Sequence, residues 1–257
     1  MPDCSLARIS ELISQDVGLS GKVLKTVNSP LYGLTNKITS INQAVNIMGA
    51  KSVINLVNAL SIRGELSNED IIALGSFWDN AMEIAMACTT IAKQIGYDSP
   101  DEAYSLGLFH NCGVPLLTMR FSDYPTIIEE SYSRPDTIIT DVENDILQTN
   151  HAVVGYYVAK SWNLPSHISL AIHEHHRTEI TVNDDTDDPK KRTLLCILKI
   201  AEHICGNYIE LGKQEEDYEW MRIKESVLLY VGLSEYDYES LCGQLVEMGI
   251  GGTNLSI

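Results

Sequence analysis

Phe and Trp are scarce in this 257-residue chain, with three of each. Aliphatic side chains and Ala must therefore fill its interior. Cations are scarce too: 18 Lys and Arg stand against 35 Asp and Glu, a formal net charge of −17. Nucleic acid and anionic membranes are bound through cationic surface, so this balance argues against general affinity for either. The deficit is uneven, because residues 1–65 hold six Lys/Arg against four Asp/Glu while the remainder holds 12 against 31. The six cysteines (Cys4, Cys88, Cys112, Cys196, Cys205, Cys242) form no CxxC pair, which suits a reducing compartment better than a disulfide scaffold. No run of eighteen apolar residues could span a bilayer, and the opening MPDCSLARIS has no apolar signal core. These absences predict a soluble, cytoplasmic protein. No stretch alternates with period two, so nothing predicts a sheet.

Hydrophobic residues make up 44% of the chain, enough for a sizeable core, and their spacing is helical. In 81–95, Ala81, Ile84, Ala85, Cys88, Ile91, Ala92 and Ile95 recur at i, i+3, i+4 and i+7, the period of one helix face. VINLVNALSI (53–62) and LLCILKIAEHI (194–204) are apolar enough for buried helices. Ser40 with Gln43, and Thr140 with Glu143, have capping-box spacing, in which a hydroxyl accepts the N3 amide and the N3 side chain reaches back. Ser99-Pro100 places Pro where its missing N–H costs nothing. Ser234 precedes Glu235 and Asp237, acids suited to a positive first turn. Gly49, Gly64, Gly96 and Gly232 each follow an apolar run, where a helix-ending glycine belongs. Together these signals predict an all-α chain of more than ten helices. Residues 64–70 (GELSNED) predict a polar joint, and 181–192 (TVNDDTDDPKKR) a mobile charged surface loop.

All seven histidines fall between residues 110 and 203, and imidazole is the commonest neutral metal ligand. His110 and Asn111 interrupt the apolar run LGLFHNCGVPLL, where buried polar groups need partners. His173, His175 and His176 close the helix that follows Leu164-Pro165-Ser166. Their spacing spreads them around the axis, so at most two can face one site. A single buried histidine is more often a hydrogen-bonded core residue than a ligand. His110, His151 and His176 together point to a shared polar site, and spacing alone goes no further.

Several blocks, in order, resemble one family. NSPLYGLTNKITSINQAVNIMGAKSVINLVNAL (28–60) resembles the signature segment of HDOD domains: an Asn-Ser aromatic/Gly turn, then I-x-S-I-x-x-A and G-x-x-x-x-x-N-L. ISELISQDVGLSGKVLKTV (9–27) is similar to the helix pair that precedes it. AYSLGLFHNCGVPLL, His151-Ala-Val-Val-Gly155, Ser161-Trp-Asn-Leu-Pro165 and Ala171-Ile-His-Glu-His-His176 resemble later blocks. The likeness begins inside the family's pattern, without its usual leading helix, which implies a fragment or a short version.

The resemblance implies an all-α, multi-helical HD-related domain with a smaller helical N-terminal lobe. Residues 1–66 would form that lobe, 67–212 the HD-like helical lobe, and 213–257 C-terminal helices packed on the body. HDOD domains are related to HD-superfamily metal phosphohydrolases. Carried over by position, the relatives' metal ligands match His110, His151, His175, His176 and Glu202, while Asn80 and Asn111 replace a His and an Asp. Two divalent cations need anionic ligands to balance and bridge them. An amide at 111 and another at 80 weaken that field, and Glu202 in place of Asp shifts its oxygens by about one C–C bond, ~1.5 Å.

The expectation is thus a vestigial site with no catalytic residues and no cofactor beyond one divalent metal ion, in a non-catalytic bacterial signal-transduction module. Its partner would be a signalling protein or a small ligand. The alternative is a metal-dependent phosphohydrolase or phosphodiesterase acting on a nucleotide or cyclic dinucleotide. A third class, DNA binding through QDVGLSGKVLKTVNSP as a helix-turn-helix, is opposed by the net charge. Tyr218, Trp220, Tyr230, Tyr236 and Tyr238 make the C-terminal end aromatic. Core packing accounts for most of them, and the rest offer a face to a partner or a second copy.

Overall fold

Ser5 accepts the Arg8 amide on its hydroxyl (3.3 Å) and opens α1, Leu6–Ser14. α2 (Val17–Val27) follows, then a 3-10 turn at Pro30–Tyr32 and α3 (Ile41–Gly64). Asn28 holds the intervening loop closed, donating to the Ile38 carbonyl at 2.8 Å and accepting the Ile38 N–H at 2.7 Å. Gly49 sits at φ 76° inside α3, so the element is two helices meeting at a kink. Glycine reaches that left-handed conformation without the clash a Cβ would cause. α1 and α2 pack on α3 over buried Ile13, Val23, Val27, Val45, Val53 and Leu56. Each such burial stabilises by roughly 1.5–3 kcal/mol.

The computed structural model describes residues 5–15, 17–35, 38–64, 75–162 and 164–251. It divides into two compact units at the Glu65–Leu66 step. Of the residues read as a polar joint, 65–70 lie outside the described residues, as do Cys4 and Lys37. Among the described residues every regular element is a helix, and no helix is long and apolar enough to cross a membrane.

The second unit runs through α4 (Gly75–Gln94), α5 (Pro100–Phe109), α6 (Gly113–Arg120), α7 (Tyr124–Tyr132), α8 (Ile139–Leu147), α9 (His151–Ser161) and α10 (Ser166–Glu174). A 3-10 turn (His175–Arg177), α11 (Thr178–Asn183), α12 (Pro189–Ile204), α13 (Asn207–Glu210), α14 (Tyr218–Val231) and α15 (Glu235–Glu247) complete it. α12 is its axis and packs against α4, α5, α10, α11 and α14. Leu194, Leu195, Cys196, Ile197, Leu198 and Ile200 are fully buried on it, and a helix apolar on all sides belongs in an interior. On α4 the predicted stripe is the buried one: Ala81, Ile84, Ala85, Cys88, Ile91 and Ala92. A Cβ on Gly107 would lie 2.8 Å from the Ala85 Cα, so α5 crosses α4 too closely for any other residue there.

Gly96 and Gly232 end their helices at φ 73° and 72°, and the Ser234–Asp237 capping box is formed. Two local expectations fail. α8 starts at Ile139, and Glu143 turns inward to a buried tyrosine and a buried histidine instead of capping a helix. The 181–192 segment, expected as a mobile charged surface loop, is exposed over 183–186 and 188–190, but its last two cations are buried. Lys191 is buried between Glu174 (2.6 Å) and Asp187 (2.8 Å), and Arg192 donates to the Val182 carbonyl at 2.6 Å and to Asp185 at 3.0 Å. The Arg192 guanidinium also lies over the Tyr230 ring, 4.7 Å from its centroid, and a charge count along the sequence registers none of this burial.

Candidate metal centre

His151 is placed by two neighbours. Asn150 caps α9, accepting the Val153 amide at 2.8 Å, so His151 opens that helix. A Cβ on Gly113 would stand 2.1 Å from the His151 carbonyl oxygen. Glycine there lets the start of α6, just after His110-Asn111, press against the start of α9. From the other side, α10 tightens into the 3-10 turn and brings His175 and His176 to the same point. His173, earlier on α10, stays exposed. Two of the three clustered histidines turn inward, the most their spacing allows.

Every inward imidazole is anchored through Nδ1. The His151 Nδ1 is 2.7 Å from Glu143 Oε2, whose other oxygen accepts from the Tyr124 hydroxyl. The His175 Nδ1 is 2.7 Å from the Ile172 carbonyl, and the His110 Nδ1 is 2.8 Å from that of Gly107. The His176 Nδ1 is 3.0 and 3.1 Å from the two Glu219 oxygens. These oxygens only accept, so each Nδ1 carries a hydrogen and each ring turns its Nε2 inward.

The His151 Nε2 lies 3.2 Å from that of His175 and 3.1 Å from that of His176. Lone pairs at that separation repel unless a cation stands among them. Nitrogens about 2.1 Å from one metal ion lie about 3.0 Å apart at right angles and about 3.4 Å apart in a tetrahedron. Both of these spacings fall between, and one ligand atom from each of the three imidazoles lies within 4.8 Å of the others, so the cluster could hold a single divalent ion. Carboxylates on Nδ1, as Glu143 and Glu219 provide, fix the tautomer and raise ligand basicity. Burial, together with Lys199, holds the His175 and His176 pKa values well below the usual histidine range. The rings are therefore neutral, the state a metal requires.

The opposite side of the cluster is different. His110 reaches it edge-on to His175, with ring centroids 5.5 Å apart. Its Nε2 is 3.3 Å from Glu202 Oε1 but outside hydrogen-bond geometry. Glu202 also accepts from the Asn207 amide at 3.0 Å. Its Oε2 lies 2.8 Å from the Lys199 ammonium, off the angle of a hydrogen bond, so that contact is an ion pair. Burial pushes the Glu202 carboxyl pKa up, yet Lys199 and then His110 outweigh it and hold it well below the usual range. Burial likewise pulls Lys199 down, and Glu202 and Glu219 more than offset it. Asn111 is buried with an unpartnered Oδ1. Asn80 donates to the Cys205 carbonyl at 3.1 Å, so its amide is committed to the backbone. A small cleft of about 10 Å³, room for about one water-sized group, is lined by Tyr132, Lys199, Glu202, Asn207, Asp217 and Glu219 on this side.

Of the residues singled out in the sequence, His151, His175 and His176 come together, and His110 with Glu202 forms a flank beside them. Glu143, Lys199 and Glu219 were missed. Lys199 had a signal, a lone cation inside the apolar run LLCILKIAEHI. Glu143 and Glu219 had none, because an acid on a helix is ordinarily a solvated one.

The HDOD domain family matches residues 1–178, more than half of the chain. The chain belongs to that family. An uncharacterized protein of Treponema pallidum is 30% identical over 182 residues, which is 68% of this chain and 34% of that protein. The chain thus matches about a third of that relative's length. Among solved structures, an HDOD domain protein of unknown function from Geobacter sulfurreducens covers 100% of this chain and 88% of its own, at 20% identity and a TM-score of 0.64. A Shewanella amazonensis protein provisionally named a phosphohydrolase covers 98% and 86%, at 23% identity and a TM-score of 0.66. At those identities the likeness is one of fold, and the all-helical HDOD architecture is the fold found here.

Proposed function

We propose that this HDOD chain is a regulatory module that binds a signalling protein or small ligand, takes up at most one divalent ion, and does not hydrolyse phosphate esters. The observation that carries this reading is the Lys199 ammonium on Glu202 at 2.8 Å. A two-metal hydrolytic site needs carboxylates free to bridge and balance its cations. Here the carboxylate nearest the flank is already neutralised, residue 111 is an amide, and Asn80 is turned onto a carbonyl. The three-imidazole pole would hold one ion as a structural pin joining α9 to the end of α10. A bound divalent ion supplies Lewis acidity, but the residues at the other pole cannot position a second.

The test is elemental analysis of the purified chain after loading with Mn2+, beside hydrolysis assays on a phosphodiester and a cyclic dinucleotide. One ion or none per chain, with no turnover, is the expected result. Convergence of three Nε2 atoms supports the rival reading, a metal-dependent phosphohydrolase. Two ions per chain with turnover that His110→Ala abolishes would establish that reading and sink ours.

A further inference from the structure

The residue that neutralises the flank has a second consequence, and it concerns how many ions the cluster accepts. Lys199 lies one turn before Glu202 on α12 and is 3% exposed. Its ammonium bridges two buried carboxylates, at 2.8 Å from Glu202 and 2.9 Å from Glu219. Each of those carboxylates faces a different imidazole. Glu219 holds the His176 Nδ1, and Glu202 faces the His110 Nε2. The ammonium therefore occupies a cation's place between the flank and the backing of the cage.

The charges agree. Glu143, Glu202 and Glu219 are three acids in direct contact with the imidazoles or with Lys199, and Lys199 is the one base among these contacts. The carboxylates in these contacts therefore outnumber the ammonium. Two buried polar atoms, the His110 Nε2 and the Oδ1 of Asn111 next to it in the chain, have no hydrogen-bond partner, and Glu202 Oε2 is met by the ammonium, so the flank is built for charge rather than for apolar packing. Without the ammonium it would offer an imidazole nitrogen and a free carboxylate, donors open to a divalent ion.

We infer that Lys199 is a tethered cation standing where a second exchangeable ion would bind, and that it limits the cluster to one divalent ion. The inference rests on the one-ion reading above and adds the residue that enforces it. Its substitution by a neutral side chain opens the flank to one more ion, and substitution by Arg, which keeps the charge, does not.

The test uses the full chain and Mn2+ alone. Wild type, Lys199→Arg, Lys199→Met and Lys199→Gln are purified in Mn2+, dialysed to a fixed free concentration and counted for manganese per chain, with circular dichroism melts to establish folding. One additional ion in Lys199→Met or Lys199→Gln over Lys199→Arg is the expected result. Equal counts in folded neutral and charged variants overturn the inference. Should neither neutral variant fold, wild type decides it: saturation at two ions per chain overturns it, and saturation at one supports it. The count in wild type separately judges the one-ion reading, because a wild type without metal removes that reading while a difference of one between variants still upholds the tethered cation.

Discussion

The two poles of the histidine cluster are built from similar parts and do opposite things. At one, His151, His175 and His176 each give Nδ1 to an acceptor and turn Nε2 toward a common point. At the other, His110 is anchored in the same way but faces a carboxylate already held by an ammonium, beside an amide. An imidazole cage needs only orientation, which helix starts, a 3-10 turn and backing carboxylates supply. A bridged pair of cations needs uncommitted negative charge as well. The comparison teaches that imidazoles can be oriented toward a common point at one pole while the carboxylate at the other is already paired with an ammonium.

The largest effect that would break the imidazole pole comes from a residue with no side chain. Gly113→Ala sets a methyl against the His151 carbonyl oxygen and should destabilise by about 3 kcal/mol, read in a denaturant melt, with loss of ion binding. If the variant melts like wild type, His151 is not held from α6. Acid should separate the poles next. Because burial lowers the pKa of both His175 and His176, the unfolded chain binds more protons than the folded one as pH falls below ~6.5. Stability in metal-free protein is complete above that value and is lost below it, by up to about 1.4 kcal/mol per pH unit per histidine. A melting temperature flat from pH 7 to pH 5 would mean that the rings are charged already.

Glu143→Gln isolates the backing shell. It leaves the ligands in place and should weaken Mn2+ affinity roughly 10–100-fold, measured by titration calorimetry. An unchanged affinity would show that the Nδ1 carboxylate does not tune the cage. Asn80→Ala should do least, costing about 1 kcal/mol for one hydrogen bond to Cys205 with no change in ion count. Any change in stoichiometry would return Asn80 to the site.

Much of the fold was legible because it rests on period and punctuation. The Ala81–Ala92 stripe, the Ser234 cap, and the turns at Gly96 and Gly232 are local signals that the surroundings do not overrule. Glu143 was misread for the opposite reason: Thr140-x-x-Glu143 fits a capping box, but a buried imidazole and tyrosine compete for the carboxylate and win. The burial of Lys191 and Arg192 was not legible either, since it depends on Glu174, outside the loop, and on how the 181–192 segment folds back so that the Val182 carbonyl meets Arg192.

By itself the sequence determined the helical class, the family, and the presence of amides at 111 and 80, because those are matters of residue identity and short-range spacing. Tertiary structure alone decided which nitrogen of each histidine faces inward and that Lys199 meets Glu202 and Glu219. Tautomers and ion pairs depend on contacts between helices distant in the chain, and a few tenths of an ångström there separate a ligand from a core residue.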